Sequence, residues 1–270
     1  MAAVLAESQP SPRLASPRLV RGLIGVAVLF GILEALTRAE LVNPRYLPPA
    51  SSVMAATARI LVDLEFLGDV AATLAAWAVG LAIAVVVAVP LGLVLGSSRR
   101  SYAAAAAAID FLRPIPSVAL IPLAILLFGR GLDMKLALIV YASSWPILFN
   151  AIYGVRQVDP VATETARVFG FGRMAVLWGT VLPSALPFIS TGIRVAAAIA
   201  LILAISAELI AGGSAGIGTW MLVQSQAGSR REEVYAGIVV AGLLGLVINA
   251  VFVVIERRLF FWHPRLRPAA

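Results

Sequence analysis

The side chains able to do chemistry in this chain are few, and their kinds set its limits. Cysteine is absent and His263 is the only histidine in 270 residues, so a disulfide framework, a thiol nucleophile and a His/Cys metal site are excluded. A Walker-type phosphate loop needs a Gly-Lys pair whose lysine reaches the phosphates, and the only lysine, Lys135, follows Met134. Gly212-Gly213-Ser214-Ala215-Gly216 satisfies the G-x-S-x-G spacing of a nucleophile elbow. That elbow requires a strand before it and a histidine base; here an apolar helix-length run precedes it, and His263 falls in a tail expected on the opposite membrane face. A flexible external loop is the better reading. What remains is arginine, carboxylate and backbone.

Asp110, Arg113, Arg194 and Glu208 lie inside apolar runs, where ionisable side chains are costly in lipid and carry a functional hypothesis by default. Asp110 and Arg113 are three residues apart, hence neighbours on one helix face and able to pair. They stand beside Pro114-Ile115-Pro116, where two prolines interrupt the helical hydrogen bonds. They read either as a structural ion pair anchoring a broken helix or, for Arg113 and the open backbone beside it, as part of an anion path. Arg194 and Glu208 are 14 residues apart, about 21 Å along a helix, so they cannot meet and each needs its own partner or water. Arg194 is placed mid-membrane, as a structural residue or an attractor for an anionic solute. Glu208 is placed near the outer face, as a gate or packing residue.

The elements that must position these residues are membrane helices. The chain is 61% hydrophobic and 13% charged, with a mean hydropathy of +0.97, whereas soluble domains carry about a quarter charged residues. The net charge of +7 would suggest nucleic acid in a soluble protein; here the basic residues sit in short clusters between apolar runs, so topology explains them and no nucleic acid is expected. Six spans of about 20 residues read as Leu19 to Leu36, Val70 to Gly96, Ala103 to Phe128 with its break at Pro114, Met134 to Tyr153, Ala185 to Ala211 and Val234 to Glu256. The fold class is all-α and polytopic. A disordered tail over 1–18 precedes a membrane domain over 19–256, and a basic tail over 257–270 follows. An amphipathic stretch from Val53 to Leu64 lies outside the bilayer, and Gly212 to Glu233 reads as a Gly-rich loop and a polar segment. With both termini inside, twelve of the 21 basic residues fall on the inner side and seven, Lys135 among them, on the outer, which is the bias of cytoplasmic loops. Gly80, Gly92, Gly242, Gly245 and the alanine run Ala103 to Ala108 read as close helix packing, and Trp77, Trp145, Trp178, Trp220 and Trp262 mostly as interfacial anchors.

One polar loop, Arg156 to Pro183, is too patterned to be a tether. Asp159 before Pro160 is a good helix start, and Gly170 can take the left-handed conformation that ends a helix near Phe169. The loop is therefore an ordered helix–turn–helix: an ordinary interfacial helix, or an exposed helix suited to a partner's groove. Its run Glu164-Thr165-Ala166, three residues, Gly170, nine residues, Thr180, one residue, Leu182-Pro183 resembles the EAA loop of bacterial ABC-importer permeases, E-A-A-x3-G-x9-I-x-L-P. Thr165 stands where the second Ala is usual and Thr180 where Ile is usual. Leu112-Arg113-Pro114-Ile115-Pro116, Ile121-Pro122-Leu123-Ala124, Phe128-Gly129, Pro146-Ile147-Leu148, Gly154 to Asp159, Thr191-Gly192-Ile193-Arg194, Ala207-Glu208-Leu209 and Gly216-Ile217-Gly218 resemble the nitrate/sulfonate/taurine subgroup. The likeness covers about residues 70 to 255.

That resemblance implies a type I ABC-importer permease with the MetI-like fold, in the bacterial inner membrane with both termini cytoplasmic. It implies a homodimer, two copies of a cytoplasmic ATP-binding subunit that holds ATP and Mg, one extracytoplasmic solute-binding protein, and no cofactor on this chain. Glu164, Thr165, Ala166, Gly170, Gly172, Leu182 and Pro183 would form the coupling segment, and Asp110, Arg113, Arg194 and Glu208 are candidates for the path. The implied solute is a small anion such as a sulfonate, nitrate, taurine or a carboxylate, with pyrimidine-type vitamin precursors open. An ATP-independent secondary transporter or channel is the alternative; it calls for midplane ion-coupling carboxylates and internal repeats, and no clear repeat is found.

Overall fold

A computed structural model describes residues 17–43, 46–228 and 231–260, apart from the side chains of 17–20 and 23. The tail before residue 17, most of the basic tail with His263, and Trp262 lie outside the described residues. No strand occurs among the described residues, as the all-α reading expects. The chain divides into two compact units, residues 1–56 and 57–270. The first contains α1 (Pro17–Arg38), on which the expected first span falls, and the start of α2 (Ala50–Ile60). Within it the Glu34 carboxylate accepts from the Ser51 backbone N–H at 2.9 Å and hydroxyl at 2.8 Å and pairs with Arg38 at 2.7 Å.

The second unit is built on α3 (Leu64–Ser97), α6 (Leu132–Arg156), α9 (Leu182–Ala211) and α11 (Arg231–Leu259). Four helical stretches among the described residues, Leu64–Ser97, Leu132–Arg156, Arg173–Ala211 and Arg231–Leu259, are long and apolar enough to cross a membrane. A fifth candidate is bent: α4 (Arg99–Leu112) and a short helical run reaching into α5 (Ile121–Phe128) meet at 76°. The bend falls at the expected Pro114/Pro116 break, because neither proline can donate to the helix ladder. By contrast Pro90 sits inside unbroken α3.

Glycines set how the helices meet. A Cβ on Gly80 would stand 2.6 Å from Ile139, one on Gly96 2.7 Å from Val155, and one on Gly92 would collide with Ala151. These three contacts share one offset along the chain, so α3 and α6 run parallel. Gly192 packs on Pro146 and Asn150 and Gly154 on Ala185 and Phe188, an order that runs oppositely, so α9 is antiparallel to both. Close backbone approach through small residues is how membrane helices gain dispersion contact without a hydrophobic drive. Ala84, Ala88, Ala196 and Ala197 continue that seam around Leu81 and Ile147. The other expected packing residues do not join it: Gly242 has open space around it, Gly245 meets only Leu201 at 3.8 Å, and Ala103 to Ala108 are exposed or half-buried.

Three of the tryptophans pack within the bundle. Trp77 donates through Nε1 to the Ala197 carbonyl at 2.8 Å, Trp145 meets Tyr141 edge-on at 5.8 Å, and Trp220 is buried edge-on against Phe66 at 4.6 Å. Trp220 belongs to α10 (Ile217–Ala227), a helix where the sequence reads as loop and polar segment. Its first residues, Ile217 to Met221, are buried, which supplies the tertiary stabilisation that polar composition alone conceals.

Candidate functional site

The parallel pair α3/α6 and antiparallel α9 give the bundle two chemically different ends. At one, α6 leads into α7 (Pro160–Val168). Asp159 Oδ1 accepts from the Val161 N–H at 2.9 Å, and Pro160 occupies the first turn, where its missing N–H costs nothing. The helix closes as Phe169 N–H bonds Thr165 O at 3.1 Å, Gly170 N–H bonds Arg167 O at 2.9 Å and Phe171 N–H bonds Ala166 O at 3.1 Å. Gly170 takes φ +82°, a left-handed conformation that favours glycine. No residue of α7 is buried: Glu164 and Thr165 are exposed and Ala166 half-buried. Val168 is 85% and Phe169 77% exposed, and Val161 and Phe171 are exposed too. Gly172 opens the single turn α8 (Arg173–Val176) with ordinary extended backbone. Leu177–Val181 then forms one turn of π-helix, which the sequence pattern does not announce, before Leu182 and Pro183 begin α9.

The expected Asp110–Arg113 pair does not form. Asp110 is exposed, and α4 ends at Leu112 with the Arg113 N–H bonded to Ile109 O. The Arg113 guanidinium turns to α6 and stands 4.6 Å above the Phe149 ring, where the ring quadrupole attracts it. Tyr141 Oη donates to the Leu112 carbonyl at 2.6 Å, fixing the break against the same helix.

Arg194 finds a partner that sequence reading missed. Its Nη1 lies 3.4 Å from Glu256 Oε2, and Ser190 Oγ donates to the other Glu256 oxygen at 3.1 Å. Glu256 is buried and belongs to α11, so the pair ties α9 to α11. The signal was present in the sequence: a lone carboxylate followed by Arg257 and Arg258 at the close of an apolar run reads as a span end, and only the antiparallel order of helices brings it to Arg194.

At the opposite end Glu208 is wholly buried. Lys135 Nζ donates to its Oε1 at 2.8 Å, Thr73 Oγ1 at 2.9 Å and the Gly218 N–H to Oε2 at 3.0 Å. The Ile217 N–H bonds Thr73 Oγ1 at 2.9 Å, the Gly216 N–H bonds Asp69 Oδ1 at 2.6 Å, and Lys135 also reaches the Ala215 carbonyl at 2.9 Å. Lys135 is therefore a buried member of the bundle, not a loop charge. The Gly-rich loop is tied at four successive residues, and what precedes Ser214 is helix α9, not the strand an elbow needs. Among the described residues no group of His, Cys, Asp or Glu is arranged to hold a metal ion.

Long apolar helices, a capped helix at one end and a buried ion pair at the other mark a polytopic membrane protein. Residues 88–261 match the family described as Binding-protein-dependent transport system inner membrane component. The chain is 32% identical over 245 residues to the taurine transport system permease protein TauC of Escherichia coli (strain K12), covering 88% of each chain. It is 27% identical to the nitrate import permease protein NrtB of Synechocystis sp., covering 93% of this chain and 92% of that one. Its fold is similar to that of the inward-facing MetNI methionine ABC transporter, with a TM-score of 0.61 at 18% identity over 69% of this chain and 92% of that one. The chain belongs to the binding-protein-dependent inner-membrane permease family. It is an ABC-importer permease, which sets aside the secondary transporter and implies ATPase and binding-protein partners.

Proposed function

We propose that two copies of this chain form the translocation path for a small oxoanion and that α7 couples it to a cytoplasmic ATPase. The observation that carries the coupling role is the exposure of α7: a helix capped at both ends, with Glu164 and Thr165 outward and Val161, Val168, Phe169 and Phe171 uncovered. An ordered helix with no fully buried residue and several uncovered apolar side chains supports docking into a partner's groove. Leu182 and Pro183 then lead from that segment into α9, so a displacement of α7 is transmitted to a spanning helix. ATP and Mg are held by the partner, a reading supported by the lack of any lysine in a phosphate-loop setting in this chain. Alternating access follows as a two-state rearrangement biased by nucleotide on one side and by the loaded binding protein on the other. In this reading both termini are cytoplasmic, residues 19–256 form the membrane domain in contact with lipid, and 156–183 the coupling loop.

Taurine and nitrate, named for two relatives, both present a three-oxygen anionic group, and Arg113 is the cation at the helix break that could meet one. Gentle detergent purification of the tagged chain tests the proposal. The expected result is a stoichiometric ATPase that hydrolyses ATP and is lost on Glu164→Lys or Gly170→Val, with the permease still in the membrane. A permease that keeps its ATPase, and transports, with Glu164→Lys overturns the coupling role.

A further inference from the structure

We propose that the α7 end of the bundle carries a binding site for the phosphate headgroup of an anionic phospholipid, between Arg99 and Arg156. A cavity of about 640 Å³ opens there, lined by Gly96, Ser97, Arg99, Tyr102, Ala103 and Arg156. Two guanidinium groups and no carboxylate line it. Three other basic side chains are ion-paired: Lys135 with Glu208, Arg194 with Glu256 and Arg38 with Glu34. Arg99 and Arg156 have no ion pair and no side-chain hydrogen bond among the described residues. Arg156 is nevertheless fixed, its guanidinium 4.4 Å above the Tyr102 ring. Stacking occupies the face of the guanidinium and leaves its edge N–H groups for a second ligand, and a phosphate is the group that their fork geometry fits.

The neighbouring surface distinguishes a lipid from a free ion. Val79, Ile83, Val86, Pro90 and Val94 are exposed along α3, and helical spacing puts them on one face whose next member is Ser97, in the lining of the cavity. An apolar stripe ending at a basic cavity matches an acyl chain continuing from a headgroup. The depth also fits, because the cavity sits where α3 and α6 both finish their apolar runs, the level at which basic pockets between helices meet headgroups. The site does not depend on which solute is carried or on α7's coupling role.

The test uses the intact permease–ATPase complex in nanodiscs of three parts phosphatidylcholine to one part phosphatidylglycerol, with retained lipid counted by native mass spectrometry after transfer to detergent. Phosphatidylglycerol should be retained over phosphatidylcholine. Each neutralised arginine should lower that preference about fivefold, and Arg99→Gln/Arg156→Gln about thirtyfold. Tyr102→Leu, which changes no charge, should lower it, and Tyr102→Phe should not; this pair carries the test if the double variant fails to accumulate. Equal retention of the two lipids, or unchanged retention in Arg99→Gln/Arg156→Gln, overturns the site. Inorganic phosphate that binds the complex in pure phosphatidylcholine with the same arginine dependence, and displaces no lipid, assigns the cavity to a free anion and overturns the lipid reading.

Discussion

Lys135 Nζ lies 2.8 Å from Glu208 Oε1, with both side chains withdrawn from the surface, so the only lysine of the chain neutralises a carboxylate that otherwise stands alone inside a helix bundle. Removing one member leaves a buried charge without its counterion, which costs about 3–5 kcal/mol, whereas replacing both by apolar groups is often neutral. Lys135→Met and Glu208→Leu should each lower the thermal midpoint of the purified complex and its yield. Lys135→Met/Glu208→Leu should recover part of the loss, held short of full recovery because the Gly218 N–H also loses its acceptor. A Lys135→Met protein that unfolds with the wild type would show that the pair holds nothing together.

The loop bound to that pair gives a sharper contrast. Gly216 has φ +133°, and a Cβ there would collide with the Glu208 carboxylate. Gly216→Ala therefore combines backbone strain of about 1–3 kcal/mol with displacement of the knot. Gly242 is helical with open space around it, so Gly242→Ala removes only a helix penalty and should be neutral or stabilising by up to about 1 kcal/mol. Thermal unfolding of the two variants side by side should rank Gly216→Ala well below wild type and Gly242→Ala at or above it.

What the sequence revealed and what it hid follow from the range of the interactions. The limits of α7 were legible because Asp159, Pro160 and Gly170 act on their own backbone within a turn. The break after Leu112 was legible for the same reason, since proline acts locally. The partners of Glu208 and Arg194 were not, because Thr73, Lys135 and Glu256 come from other helices and only the packing order selects them. Asp110 and Arg113 show the converse error: helical spacing permits a pair, but α4 stops at Leu112 and Phe149 of α6 takes the guanidinium. Polarity misled at α10, whose stabilising contacts, Trp220 on Phe66 and Met221 on Gly237, are tertiary.

Arg194 is a structural residue if its contact with Glu256 is what fixes it. Arg194→Gln leaves the buried Glu256 carboxylate with only the Ser190 hydroxyl, so it should destabilise the complex and reduce uptake together. Arg194→Gln/Glu256→Gln removes both charges and permits an amide–amide hydrogen bond in their place. That double variant should regain stability and at least half of wild-type uptake in whole cells. Recovered stability with uptake still absent would instead place Arg194 against the solute.

In the proposed reading Arg113 is the cation of the path, because stacking on Phe149 holds it at the helix break without neutralising it. A hydrogen bond from a charged group to a ligand contributes about 1.5–3 kcal/mol, so Arg113→Gln should raise the KM for uptake by roughly tenfold or more, with ATPase assembly unchanged. Arg113→Lys keeps the charge but loses the planar fork and should fall between the two. Phe149→Leu removes the ring and frees the guanidinium to move, which should raise KM with the charge intact. Asp110 is exposed and pairs with nothing at the break, so Asp110→Asn should leave KM within about twofold of wild type, as a surface substitution does. Radiolabelled uptake across a concentration series checks all four, and an Arg113→Gln protein with wild-type KM would remove Arg113 from the path.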